Sequence, residues 1–193
     1  MVKIGVLAIQ GDFYEHRLTL QSIGIDTTEV RLPSDLENLA GLIIPGGEST
    51  TMVQLIDTYG LRNPIKRFAK NGMSIWGTCA GMIVIADKLE DKRPSPLGLM
   101  DIEVARNAFG RQKDSFEAHL SIPQIKGPPV HALFIRAPRV TKVKGEVEIL
   151  AKLDTGEPVA VKQGKLLATS FHPELTGDTR MHQLFVEITR SNI

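Results

Sequence analysis

The sequence predicts an α/β fold: a three-layer sandwich with a mostly parallel central sheet flanked by helices, plus antiparallel strands in the C-terminal half. Three observations carry this. Short, nearly continuous apolar runs recur in the first half, as "KIGVLAI", "GLIIP" and "MSIWG". Stretches with helical spacing stand between them. From about Lys88 onward, strand-like segments split by turn residues replace that alternation. A strand buried on both faces reads as a continuous apolar run. Strands alternating with helices imply a parallel sheet covered on both sides.

In order, "KIGVLAI" (3–9) is the first buried strand. "FYEHRLTLQSIG" follows as a helix, with Asp12 and Glu15 at capping spacing and Gly24 as its stop. "TTEVRL" is a second strand, and "SDLENL" a short helix with Ser34 and Glu37 at capping spacing. "GLIIP" (41–45) is a third strand, interrupted by "GGEST". "TMVQLIDTYG" and "NPIKRFAKNG" are helical. "MSIWG" is a fourth strand, and "MIVIADKL" the helix after Cys79. "EDKRPSPLG" is a polar, Pro-rich loop. "SFEAHLSI", "VHALFIRA", "EVEIL", "PVAVKQ" and "KLLATSF" are strands of a mixed or antiparallel extension. "TRMHQLFVEITR" closes the chain as an amphipathic helix. No internal repeat or low-complexity segment is present.

The 193 residues suit a single domain spanning 1–193. A net charge of +1 and only 5% aromatic residues argue against nucleic-acid and membrane partners. No apolar stretch approaches the roughly 20 residues of a membrane span. A single cysteine rules out an internal disulfide and fits a reducing compartment, so a cytoplasmic protein is expected.

In open parallel sheets, active sites lie at the carboxyl ends of strands. "PGGEST" and "GTCAG" both fall there. Gly77-Thr78-Cys79-Ala80-Gly81 has the form Gly-x-nucleophile-x-Gly between a buried strand and a helix, the setting of a nucleophile elbow. A lone cysteine is more often a buried core thiol; this context reverses the preference. "SFHPEL" (170–175) supplies a base, also at a strand end. Pro173 biases His172 to an extended conformation, and residues two apart in an extended chain share a side. Glu174 therefore reaches the His172 ring and orients it, the third role in a triad. Taken alone, the stretch reads equally well as a surface turn; Cys79 tips the balance to a Cys79–His172–Glu174 triad. Gly47 and the Ala80 N–H are the expected oxyanion donors. The Gly-x4-Gly-Lys-Ser/Thr pattern of a phosphate loop is absent. His16, His119, His131 and His182 are surface or packed residues in this reading. No group of residues has metal-ligand spacing, and no metal or other cofactor is expected. Trp76 only fills a strand end.

"GTCAG", "HPE" and "PGGES" together resemble class I glutamine amidotransferases. "LAIQGDFYEH", "IIPGGESTTM", "RNAFGRQKDSFE", "FIRAP" and "ATSFHPELT" resemble more narrowly the glutaminase subunits of pyridoxal 5′-phosphate synthases. The likeness runs from the first strand to near the last helix, and implies one class I amidotransferase domain over 1–193. It implies that Cys79 attacks the carboxamide of L-glutamine, that His172 moves the proton, and that water hydrolyses a glutamyl thioester to glutamate. Gly47, Glu48, Ser49, Arg106, Ile135 and Arg136 match glutamine-binding positions. An arginine suits the α-carboxylate, because its planar fork can hold both oxygens; without the likeness, Arg106 and Arg136 are equally surface ion pairs. Gln10 and Gly46 are read as coupling to a partner. That partner is the synthase (lyase) subunit, in a large hetero-oligomer, because the chain has no length for a synthase domain. The other readings are a glutaminase subunit for another pathway, such as histidine or anthranilate synthesis, and a non-catalytic regulatory module.

Overall fold

The computed structural model describes residues 2–106 and 115–191. Of "RNAFGRQ", only Arg106 lies among them. The elements in chain order are β1 (Lys3–Leu7), α1 (Phe13–Ser22), β2 (Asp26–Val30), a 3-10 turn (Pro33–Leu36), β3 (Gly41–Ile44), α2 (Ser49–Thr58), α3 (Arg62–Lys70), β4 (Ser74–Thr78) and α4 (Ala80–Ile85). β5 (Ala86–Leu89), β6 (Met100–Ala105), β7 (Ser115–Leu120), β8 (Val130–Ile135), β9 (Arg139–Val143), β10 (Glu148–Lys152), β11 (Pro158–Gln163) and β12 (Leu166–Thr169) follow. A second 3-10 turn (Pro173–Leu175) and α5 (Arg180–Arg190) close the chain.

The central sheet runs β10-β11-β12-β4-β3-β1-β2. The five strands from β12 to β2 are mutually parallel, while β10 and β11 add on as antiparallel neighbours. The expected α/β sandwich with antiparallel C-terminal strands is therefore present. Two smaller units stand beside the sheet, β5-β6-β9 and the hairpin β7-β8.

The apolar runs are buried on both faces for a visible reason. Leu42, Ile44 and Ile75 pack into one core with Met52, Ile56 and Ile65 from α2 and α3. Ile43 and Trp76, one position along, face the other core with Leu20 of α1 and Phe185 of α5. Successive side chains of a strand point to opposite faces, so a strand sandwiched by helices presents apolar residues on both; in β4 the buried polar residues Ser74 and Thr78 stand only at its two ends.

Four local expectations need correction. The helix after Cys79 does not run through "MIVIADKL"; it stops at Ile85, and Ala86–Leu89 forms β5 beside β6. The β-branched run Ile83-Val84-Ile85 is a weak helix former, and Asp87 and Lys88 lie exposed on a sheet edge. Ser34 and Glu37 do not cap a helix. Asp35 instead accepts the N–H groups of Arg31 and Leu32 at 2.9 and 2.8 Å and closes only a 3-10 turn. Asp12 sits at the N-cap of α1 but makes no side-chain cap bond; its carboxylate turns toward His172. β6 and β9 were not anticipated as strands. Gly24 does stop α1, at a φ of +76° with its N–H on Gln21 O at 3.0 Å.

Candidate active site

The order β12-β4-β3-β1 places four parallel strand ends side by side. Gln10 to Asp12 follow β1, Gly46 to Glu48 follow β3, Cys79 follows β4 and His172 follows β12. Thr169 pairs with Thr78, and Ile44 with Gly77. Segments about ninety residues apart in sequence thus meet at one edge through strand pairing.

Cys79 is the single residue between β4 and α4. Its φ of 48° and ψ of −108° are strained for a residue with a Cβ. The strain is held by its N–H donating to Thr169 O at 2.8 Å and its carbonyl accepting from Met82 N–H at 3.0 Å. The flanking glycines are required by contact rather than by φ. A Cβ on Gly77 would lie 2.4 Å from Gly81 O, and one on Gly81 would lie 2.0 Å from Ile44 O. The sulfur faces the cleft beside Ile135 O at 3.8 Å.

His172 is anchored by its N–H donating to Leu133 O of β8 at 2.8 Å. Its Nδ1 lies 2.7 Å from Glu174 Oε1, which leaves Nε2 for the sulfur. The expected contact is there, by a different route: Glu174 folds back in the 3-10 turn Pro173–Leu175, not in an extended strand. Burial pulls the pKa of His172 down, but the Cys79 sulfur and the Glu174 carboxylate outweigh it and hold it at about 10. Burial pushes Glu174 upward against the pull of the His172 hydrogen bond. The pair therefore keeps its proton on His172 at neutral pH.

A cleft of about 410 Å³ opens in front of these groups. Cys79 and His172 line it, and so do the expected Gly47, Glu48, Ser49, Ala80, Arg106, Ile135, Arg136 and Gln10. Glu174 stands behind His172. Gly46 lies against the His172 ring, where an added Cβ would fall 2.4 Å from Cε1. Ile83, Pro138 and Leu175 complete the apolar wall.

Polar contacts tie the loops together. Glu48 accepts the N–H groups of Thr50 and Thr51 at 3.0 and 2.6 Å and so caps α2. Slight burial opposes ionisation of Glu48, but those two N–H groups outweigh it and hold its pKa below the usual range. Arg106, which lines the cleft, reaches Glu48 Oε1 at 3.5 Å and donates to Arg93 O at 3.0 Å. Gln10 Oε1 accepts the Glu48 N–H at 2.9 Å, and the Asp12 N–H donates to Gly46 O at 3.1 Å. A side chain on Gly47 would strike Gln10 Oε1 at 2.4 Å. The loop after β1 thereby sets the shape of the loop after β3.

Sequence reasoning missed four groups. Asp12 Oδ2 lies 3.4 Å from His172 Nδ1. Ligand atoms of Asp12, His172 and Glu174 lie within 4.8 Å of one another, yet the nitrogen a cation would need is the one Glu174 holds. Behind Glu174, His16 and His182 are wholly buried. His16 Nε2 lies 3.0 Å from Thr78 Oγ1 and 3.3 Å from Glu174 Oε2, and its Nδ1 lies 2.9 Å from His182 Nε2. Trp76 packs edge-on against both rings, with its indole N–H on Thr169 Oγ1 at 3.1 Å. The available signal was spacing: His16 sits one helical turn before buried Leu20, and His182 lies among Met181 and Phe185. His119 is exposed, and His131 is half-buried beside Glu117 at 2.6 Å.

Among the described residues, no helix is long and apolar enough to cross a membrane. A model of the SNO glutamine amidotransferase family matches residues 6–191. The chain is 55% identical over 186 residues to a protein of Herpetosiphon aurantiacus named pyridoxal 5′-phosphate synthase subunit PdxT, covering 95% of this chain and 98% of that one. It is 53% identical over 191 residues to a protein of the same name in Dehalococcoides mccartyi, covering 98% of each. A crystal structure described as a glutamine amidotransferase superposes with a TM-score of 0.92 at 45% identity, covering 96% of this chain and 98% of that one. A structure of PurLQS from Thermotoga maritima shares the fold at a TM-score of 0.71 and 15% identity, covering 96% of this chain and 97% of that one. Taken with the elbow and the four strand ends, these matches show that the chain belongs to the SNO glutamine amidotransferase family.

Proposed function

We propose that this chain hydrolyses L-glutamine to L-glutamate and ammonia, and delivers the ammonia to a synthase subunit that makes pyridoxal 5′-phosphate. The observation that carries the reading is a cysteine on a strained elbow facing the same cleft as a buried His–Glu pair. The names of its relatives supply the substrate class and the partner.

The Cys79 sulfur attacks the side-chain carboxamide carbon of glutamine. The oxyanion that forms is met by the N–H groups of Gly47 and Ala80; losing one such donor typically costs on the order of 10²–10³ in turnover. His172 already holds a proton, and the ring delivers it to the departing nitrogen as the carbon–nitrogen bond breaks. Ammonia leaves, and a glutamyl thioester remains on Cys79. His172 then takes a proton from water, which attacks the thioester and releases glutamate and the sulfur. Glu174 keeps the ring oriented and supports its charge. Arg106, Arg136, Glu48, Ser49 and Ile135 hold the amino-acid head group at the other end of the cleft.

Ammonia released into neutral water becomes ammonium and loses its lone pair. An enclosed path into a bound synthase subunit follows from that chemistry, within one large hetero-oligomer. We place the coupling at the Gly46–Gly47 peptide: docking of the synthase turns it to complete the oxyanion hole. Its own oxygen, Gly46 O, accepts the Asp12 N–H, and the next peptide's Glu48 N–H donates to Gln10 Oε1, so moving the loop after β1 releases the peptide to turn. The test is glutamine hydrolysis with and without the synthase subunit, comparing wild type with Cys79→Ala. Hydrolysis that rises with the synthase and disappears in the variant supports the proposal. A rate indifferent to the synthase overturns the coupling, and a rate indifferent to Cys79 overturns the mechanism.

A further inference from the structure

The buried polar groups behind the triad form a chain with one consistent set of protons. Glu174 is 7% exposed; its Oε1 lies on His172, while its Oε2 is buried with no hydrogen-bond partner among the described residues and stands 3.3 Å from His16 Nε2. His16 Nδ1 faces His182 Nε2 at 2.9 Å, and His182 Nδ1 is buried with no partner among the described residues. Both histidines are wholly buried. A neutral imidazole has one donor nitrogen and one acceptor nitrogen.

Two neutral arrangements satisfy the contact between the rings. In the first, His182 Nε2–H donates to His16 Nδ1, and His16 Nε2–H points at Thr78 Oγ1 and Glu174 Oε2. Its cost is one bare acceptor, His182 Nδ1. In the second, His16 Nδ1–H donates to His182 Nε2. The His182 proton then sits on Nδ1 as a buried donor without an acceptor, and the bare His16 Nε2 turns its lone pair toward a carboxylate. That leaves a buried donor unsatisfied and sets a lone pair against the carboxylate, a heavier penalty than one idle lone pair. A charged His16 meets the same objection, because it too must donate toward His182 and leave an N–H orphaned. Burial, then the neighbouring His182 and His172, also keep His16 neutral, and burial holds His182 down at about 3.

We propose that His16 is a positioning residue of the hydrolytic site: its Nε2–H holds the rear oxygen of Glu174, and His182 locks it in that tautomer. The inference rests on the reading of Cys79, His172 and Glu174 as a triad. Glu174 is then flanked at both oxygens: His172 hydrogen-bonds Oε1 at 2.7 Å in front, and the His16 Nε2–H stands 3.3 Å from Oε2 behind, which opposes rotation of the carboxylate away from the ring it orients. Trp76, edge-on to both histidines, walls the pair off from water. The chain of contacts links α1, α5 and the end of β4 to the catalytic turn.

Two measurements test this. In the wild-type chain, long-range proton–nitrogen NMR of the imidazoles reads the tautomers without any turnover. The expected result is Nε2–H on both His16 and His182; an Nδ1–H tautomer at His16 overturns the proposal. The second is glutamine hydrolysis in the complex with the synthase, comparing His16→Leu with His16→Gln, whose amide nitrogen can stand where Nε2 stood. His16→Leu is expected to lose about ten- to a hundredfold in kcat, the range for a lost hydrogen bond to a charged group, with KM for glutamine little changed. The titrating groups around Glu174 are His172, Asp12 and His16. Without the His16 donor the Glu174 carboxylate is harder to keep ionised, so the acid limb of the rate profile moves to higher pH. His16→Gln restores most of kcat and the original limb. A His16→Leu enzyme with wild-type kcat and an unmoved profile overturns the role, as does a loss confined to KM or one that Gln fails to rescue. Wild type that hydrolyses no glutamine with the synthase present sinks the triad reading and this role with it, while the tautomers are still read by NMR.

Discussion

Gly46→Ala probes how tightly His172 is held. A Cβ built on Gly46 falls 2.4 Å from His172 Cε1, whereas ordinary contact begins at 3.4 Å, and the ring must give about 1 Å. Asp12 Oδ2, at 3.0 Å from the same point, blocks one direction of relief. Gly46 does not occupy the left-handed region, so the alanine brings no backbone strain and the effect comes from the methyl alone. A displacement of about 1 Å in a catalytic group costs on the order of 10²-fold. The expected outcome in the synthase complex is a fall of that size in kcat, with KM for glutamine within a few-fold of wild type. The assay is steady-state glutamate production, with a melting curve to show that the variant folds. A folded Gly46→Ala enzyme with wild-type kcat would refute the reasoning, because it would mean that His172 turns over from a position other than the one seen.

Other consequences are open to simpler measurements. Relief of the strained φ of Cys79 is worth on the order of 1 kcal/mol, so Cys79→Gly is expected to melt above Cys79→Ala although both are inactive; the reverse order would count against strain at the elbow. His172 has a folded pKa of about 10 against an ordinary 6.5. Its contribution is complete below about 6.5 and is lost as pH rises through 10, so wild-type stability is expected to fall across that window and Cys79→Ala to fall less. His182 has the opposite sign. With its pKa depressed from 6.5 to about 3, its contribution is present above 6.5 and lost as pH falls toward 3, and His182→Leu is expected to flatten the acid side of the stability curve. Glu48→Ala removes the cap of α2 and the anchor of Arg106; a loss of about 1 kcal/mol in denaturant unfolding and a raised KM for glutamine are expected together, and a change in neither would remove Glu48 from the site.

The elements legible in the sequence are those whose burial is simple. β1, β3 and β4 face apolar cores on both sides, so apolar residues run along the middle of each strand on both faces. The elbow was legible because Gly77 and Gly81 are forced by contacts with Gly81 O and Ile44 O. Strands β5, β6 and β9 were not, since a small three-stranded sheet with exposed positions such as Asp87, Lys88 and Asp101 carries no continuous apolar run. Asp12 matched a capping pattern, yet His172 stands within reach of its carboxylate, a competition that only the fold creates. Glu174 was placed correctly beside His172 although the turn that brings it there is not the extended chain expected. His16 and His182 were invisible as functional residues. A histidine reads the same on a surface as in a core, and only the pairing of α1, α5 and the 3-10 turn puts them behind Glu174.

The proposed mechanism turns on a covalent bond between Cys79 and the carboxamide-derived carbon of glutamine. The most direct measurement is mass spectrometry of the chain after exposure to a glutamine-like electrophile with the synthase subunit present. One added group is expected, on the peptide containing Cys79, with labelling slowed by free glutamine. An unlabelled Cys79 in the complex, or labelling that glutamine does not slow, would contradict it.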